Sequence, residues 1–213
     1  MNSTDDLIAS LSNKATPVKP VASPMALWTV SIGASIVYTA ILVAILGVRP
    51  NLQTFLIQPY SFIELWLLFL LLASSLWSSI CYAYPDQYGH SIRTSLPYII
   101  LGLLVLIIGS QVDSTFFVTV MKELPHHITC LSCIAAASIL PSILLFILTQ
   151  RGATVAPIKS GAVITLAAVS IGCIALRLHE PSNDMGHILV SHYIPVFLFA
   201  GLGAFIGHTI LKW

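Results

Sequence analysis

Four side chains able to ligate a metal or change redox state fall within eight residues, His126-His127-Ile128-Thr129-Cys130-Leu131-Ser132-Cys133. Imidazole and thiolate are the donors expected for zinc and related transition metals. Cys130 and Cys133 are three apart, so on a helix both project from one side. The cluster opens an apolar segment, and a thiol near a helix N-terminus has its thiolate stabilised by the dipole, which favours metal binding or oxidation. A second polar stretch runs Leu178-His179-Glu180-Pro181-Ser182-Asn183-Asp184-Met185-Gly186-His187, with His192 just beyond. It completes a metal site if the two apolar helices flanking the preceding short loop are neighbours. A reversible disulfide is the rival use of the thiols in an oxidising compartment. The plainer reading is that cysteine serves as a small apolar filler and histidine as an amphipathic interface residue. That reading is assigned to Cys81, Cys173 and His208.

The chain that must position these groups is 57% hydrophobic and 8% charged, with a mean hydropathy of +0.93. A soluble domain cannot hide so much apolar surface, so lipid is the expected solvent. Blocks of roughly 17 to 25 apolar residues are needed to cross a bilayer. Six are read: Ala26–Val48, Phe62–Ala83, Leu96–Val112, Ile128–Thr149, Ser160–Leu178 and Leu189–Leu211. The fold class expected is therefore all-α, a polytopic six-helix transmembrane bundle over 26–213 with a cytoplasmic tail over 1–25. The first block follows 25 mostly polar residues and is too long for the core of a signal peptide, so it is expected to stay as an anchor. Net charge is +1, which gives no bulk attraction to nucleic acid. With the N-terminus inside, Lys14, Lys19, Arg93, Arg151, Lys159 and Lys212 face the cytoplasm, against Arg49, Lys122 and Arg177 outside. This bias predicts N-in, C-in, and it puts the His/Cys cluster on the outer face.

Within the tail, Ser3-Thr4-Asp5-Asp6-Leu7-Ile8-Ala9-Ser10-Leu11 reads as a short amphipathic helix. Ser3 or Thr4 caps it, Asp5 and Asp6 sit at the positive end of its dipole, and Leu7, Ile8 and Leu11 share one face. Pro17, Pro20 and Pro24 then give an extended tether. A helix this short folds mainly when it docks.

Elsewhere the loops leave no room for a second globular domain, and only Asp113–His127 has length for an extra interfacial turn. Pro141 and Pro195 predict kinks inside apolar helices. Gly203-Ala204-Phe205-Ile206-Gly207 suits close packing within the bundle in preference to dimerisation. Glu64 is the one carboxylate inside an apolar block and reads as a structural group near the outer interface, able to cap its neighbours. No nucleophile elbow, Walker loop, HExxH or paired intramembrane acids are present, so nothing points to an enzyme.

The sequence resembles the NrsF-like family of bacterial integral-membrane negative regulators of extracytoplasmic-function sigma factors. The resemblance is carried by Thr4-Asp5-Asp6-Leu7-Ile8, Leu46-Gly47-Val48-Arg49-Pro50, Phe62-Ile63-Glu64-Leu65, Arg151-Gly152-Ala153, Leu178-His179 and Lys212-Trp213. It implies an inner-membrane anti-sigma factor of six helices whose tail holds the sigma factor away from RNA polymerase, with no direct contact to nucleic acid. Leu7, Ile8 and Leu11 would fill an apolar groove on that partner, and Asp5 and Asp6 would meet its basic surface. The family pattern places a cysteine after Leu-His in the last outer loop, paired with one in the fourth helix. Cys130 matches the latter, but Glu180 stands where the former is expected, so a disulfide to position 180 is impossible while a metal site is not.

The expectation is an anti-sigma factor that releases its partner on periplasmic metal or oxidative stress. Its sensing residues are drawn from His126, His127, Cys130, Cys133, His179, Glu180 and His187. No cofactor is required, and a transition metal at the periplasmic face is an option. The alternative is a small transporter or exporter that uses the same outer-face ligands for cargo, and a scaffold without any ligand is the third reading.

Overall fold

A computed structural model describes residues 4–14, 22–84, 91–112 and 124–212, without the side chains at positions 5, 91, 93 and 124–126. Ser3, Pro17, Lys19, Pro20, the stretch 113–123 and the side chains of Asp5 and His126 thus lie outside the described residues. In chain order the helices are α1 (Thr4–Lys14), α2 (Pro24–Leu46), α3 (Leu52–Ile57), α4 (Pro59–Ala83), α5 (Ser91–Gly109), α6 (Leu124–Gln150), α7 (Pro157–His179), α8 (Met185–Ile188) and α9 (Ile194–Ile210). A π turn, Leu189–Tyr193, joins α8 to α9. No strand occurs among the described residues.

Local chemistry sets these boundaries. The Ser23 hydroxyl accepts from the Ala26 N–H at 3.3 Å, and Pro24 follows at the first helical position, where its missing N–H costs nothing. Pro59 and Pro157 open α4 and α7 in the same way. Gly47, with φ of +92°, ends α2 in a conformation that side chains with a Cβ rarely adopt. Asp184 caps α8 by accepting from Gly186 and His187 N–H groups at 2.8 and 3.2 Å.

Among the described residues, five helices are long and apolar enough to cross a membrane: α2, α4, His127–Gln150 of α6, α7, and Met185–Ile210. The apolar stretch of α5, Thr94–Gly109, is shorter. Side-chain placement is inverted relative to a soluble protein. Ile45, Leu106 and Phe205 are 76%, 71% and 68% exposed, whereas Glu64, Arg177, His187 and His192 are buried. Apolar side chains outside and ionisable ones inside are what a lipid solvent selects.

The centre of the bundle is α7, which packs against α4, α6, α9 and α2. Its Leu166, Val169, Cys173 and Leu176 join Leu68 and Leu71 of α4, Leu104 and Ile108 of α5, and Ile134 of α6 in one core. The neighbouring of α6 and α7 required above is met. On α9, Gly203 and Gly207 lie against Gly161 of α7, and a Cβ on Gly207 would come within 2.8 Å of the Gly161 Cα. The GxxxG therefore packs within the chain. Lipid tails are as apolar as leucine, so helices in a bilayer gain most from this kind of backbone approach.

The two prolines expected to kink their helices stand in different backbone settings. Around Pro195 the chain forms the π turn, in which the Ile194 N–H donates to the Leu189 carbonyl. A π turn absorbs the hydrogen bond that proline cannot donate. At Pro141 the helix α6 continues without interruption to Gln150. The short α3 between Arg49 and Pro59 was not expected from the sequence; Phe55 is its buried anchor.

Candidate metal centre at one end of the bundle

One end of the bundle gathers the C-terminal end of α2, the start of α4, the first turns of α6, the end of α7 and the α8–π-turn segment. The tether end of the chain lies at the opposite end, where the Tyr84 hydroxyl donates to the Ala22 carbonyl at 2.6 Å and the Ala153 N–H to the Ala83 carbonyl at 3.1 Å. Glu64 and Tyr84 are twenty residues apart on α4 and its C-cap, about 30 Å at 1.5 Å per residue.

At the first end, one ligand atom from each of Cys130, Glu180, His187 and His192 lies within 4.8 Å of the others, and all four residues are buried. His187 Nε2 is 3.0 Å from Glu180 Oε1, and His192 Nε2 is 3.2 Å from Oε2. Cys130 Sγ lies 3.6 Å from both Glu180 Oε2 and His187 Nε2. A tetrahedral zinc site with ligands at about 2.0–2.3 Å has edges of about 3.3–3.8 Å. The four side chains thus surround a space of the right size for such an ion, which would draw the most widely separated pair together by about an ångström. Burial pushes the Glu180 carboxyl up, and the hydrogen bonds and charge of His187 and His192 outweigh it, holding the group well below the usual carboxylate range.

A second layer orients these rings. Ser191 Oγ contacts His127 Nδ1 and lies 3.4 Å from His187 Nδ1. His127 and His187 stack with centroids 4.8 Å apart. With its Nδ1 engaged by Ser191, His187 turns Nε2 toward Glu180 and Cys130. Support of this kind behind a ligand ring is what metal sites use to fix tautomer and orientation. Metal binding would displace the protons now held among these groups, since thiolate and neutral imidazole are the ligating forms.

Beside the cluster is an ion-pair lattice. Arg177 of α7 pairs with Glu64 of α4, and the Tyr193 hydroxyl donates to Glu64 Oε1 at 2.5 Å. Arg49 lies over the Phe55 ring at 3.9 Å, with Arg177 at 5.0 Å from the same ring. Glu64 is therefore a structural group, as expected, but its carboxylate is engaged by Arg177 and Tyr193 and is not a helix cap. It is buried as the counter-ion of Arg177, a residue the charge count had placed simply at the outer face.

The structure brings together Cys130, Glu180 and His187 from the sequence-read set, with His127 one step behind. His192, noted beyond the loop, enters as the fourth group because the π turn rotates it inward. Cys133 is half-buried and packs against the core, apart from the four-residue group. His179 stands elsewhere, with Nδ1 2.8 Å from the Gly47 carbonyl oxygen. Cys130 also sits in the second turn of α6, which begins at Leu124. The helix dipole acts over the first turn, so it does not supply the thiolate stabilisation expected above. Ser191 and Tyr193 escaped the sequence reading, and Arg49 entered it only as an outer-face charge and as part of the family resemblance. The available signal for Arg177 was Glu64 itself, since a carboxylate in an apolar block calls for a cation at similar depth.

Against known proteins, the family model described as NrsF, negative regulator of sigma F, matches residues 11–213. Thr4 to Ser10 precede the matched region. No curated protein and no solved structure matches the chain.

Proposed function

Because the chain belongs to the family of negative regulators of sigma F, we propose that it is a membrane-embedded anti-sigma factor whose outer-face cluster senses a transition metal. The bundle spans the bacterial inner membrane six times, N-in and C-in, with residues 1–25 as the cytoplasmic docking tail and 26–213 as the sensor. Counting α5 as a span rests on its apolar stretch Thr94–Gly109, about 24 Å long, a shortfall that local thinning of the bilayer accommodates.

The observation that carries the sensor role is the buried Cys130–Glu180–His187–His192 group at the end opposite the tail. Ala22, where the tail joins the bundle, stands at the other end of α4 from the cluster, and on this reading the cluster serves as input and the tail as output. On the output side, Leu7, Ile8 and Leu11 are 58%, 59% and 62% exposed on α1 and present an apolar face. Three such side chains contribute about 1.5–3 kcal/mol each when buried, less the cost of ordering. The partner read from the resemblance is an extracytoplasmic-function sigma factor, and Asp5 and Asp6 complement its basic surface. Release requires the ion to bind two bundle states with different affinity.

The test is a reporter for sigma-dependent transcription with full-length protein carrying Leu7→Asp and Leu11→Asp. Derepression is expected, with membrane levels unchanged by immunoblot. Full repression by the double variant at normal membrane levels would remove the docking role of the tail.

A further inference from the structure

Of the five long spans, α2 is the least enclosed by protein, and it is also the helix that continues directly from the tether. Apolar grooves run along both flanks. One lies between α2 and α6, lined by Ala34, Leu140 and Leu144, and the other lies between α2 and α4–α7, lined by Val43, Phe69 and Ile174. Along its length the polar attachments are few: Trp28 Nε1 donates to the Ala73 carbonyl at 2.9 Å, and the Tyr38 hydroxyl to the Ala137 carbonyl at 3.0 Å.

At the site end, by contrast, α2 is gripped. Arg49 lies just past its C-cap and is 2% exposed. The Arg49 N–H donates to the Leu178 carbonyl at 3.0 Å. Its guanidinium donates to the carbonyls of Arg177 at 3.2 Å and Pro181 at 3.0 Å, and to Asn183 Oδ1 at 3.1 Å. All these acceptors lie between 177 and 183, the segment that also carries Glu180.

We propose that Arg49 is the coupling residue of this protein: it ties the Glu180 loop to α2, so that movement of the loop frees α2 and repositions the tether about 35 Å away. The span is that of the 23-residue α2, which has no proline after its first position and moves as one rod. Drawing Glu180 toward an ion shifts the 177–183 carbonyls on which Arg49 hangs. The grooves beside α2 allow it to move without opening the α7–α9 glycine contact. The role of the ion rests on the sensor reading above, whereas the role of Arg49 does not.

Hydrogen–deuterium exchange on the full chain in nanodiscs tests this without sigma factor or metal. Arg49→Gln, and the milder Asn183→Ala, are expected to speed exchange severalfold in residues 24–31 while residues 161–172 of α7 keep wild-type protection. Unchanged exchange at 24–31 in both variants would overturn the proposal. So would equal acceleration across α7, which would report a loosened bundle. In cells, Arg49→Gln is expected to derepress the reporter without inducer. Faster exchange at 24–31 with repression intact would support the coupling and count against the sigma-factor output. Zinc chloride added to wild-type protein is expected to accelerate the same residues. If it does nothing while Arg49→Gln accelerates them, Arg49 remains the coupling residue and zinc is not the input.

Discussion

Arg177 on α7 and Glu64 on α4 form a two-point ion pair, Nε to Oε1 at 2.8 Å and Nη2 to Oε2 at 2.8 Å, with neither side chain exposed. Glu64 is the one charged residue of α4, and Arg177 stands at the end of α7 opposite Lys159. A lone charge at such depth is expensive in lipid, so the pair admits only one register of α4 on α7. The same Glu64 takes the Tyr193 hydroxyl, which ties the π turn, and with it His192, to that register.

Arg177→Leu is therefore expected to destabilise the bundle by about 3–5 kcal/mol, because Glu64 is left buried and unpaired. The double variant Arg177→Leu, Glu64→Leu should recover most of that loss. Detergent-driven unfolding of the purified proteins, followed by circular dichroism, reads both values.

Gly207→Leu should disrupt the α7–α9 contact, since a Cβ there meets the Gly161 backbone. Overpacking in a fitted core costs about 1–3 kcal/mol. Gly201→Ala, with open space around its Cβ, should leave the unfolding midpoint where it is. Equal effects would show that glycine content, and not the contact, matters.

For the cluster, zinc binding to the purified protein should be stoichiometric and weaker at low pH, because the ligands must lose protons. Cys130→Ser and His192→Ala are expected to lower affinity strongly. Ser191→Ala should lower it about 10- to 100-fold through loss of support behind His187. Cys133→Ser and His179→Ala should bind as wild type does. Isothermal titration calorimetry separates the two groups.

Orientation is checked by fusions. Alkaline phosphatase joined after Asn183 should be active, and joined after Ala153 inactive, while a fluorescent protein after Lys212 should fluoresce. The reverse pattern would place the cluster in the cytoplasm and end its role as an outer sensor.

How much of this was readable in advance depended on whether the signal was local. The helices announce themselves through apolar length, and their starts through Ser23, Pro24, Pro59 and Pro157. The partial ligand set Cys130, Glu180 and His187 was also visible, since both polar segments lie at helix ends joined through α6 and α7. Cys133 and His179 were equally good candidates on type and position. They drop out of the group because Cys133 stands about 4.5 Å further along α6 than Cys130 and packs against the core, while the Gly47 carbonyl holds the His179 ring. His192 enters once the π turn before Pro195 adds its rotation.

By itself, the sequence determined the membrane-compatible all-helical architecture, the amphipathic tail and the family, because composition and short ordered motifs carry those. The tertiary structure decided which charges meet. Glu64 finds Arg177 across 113 residues, and Arg49 finds the 177–183 carbonyls across about 130. Pairings at such separations leave no trace in local periodicity. They follow from α7 standing at the centre of the bundle, where buried polar groups must find one another.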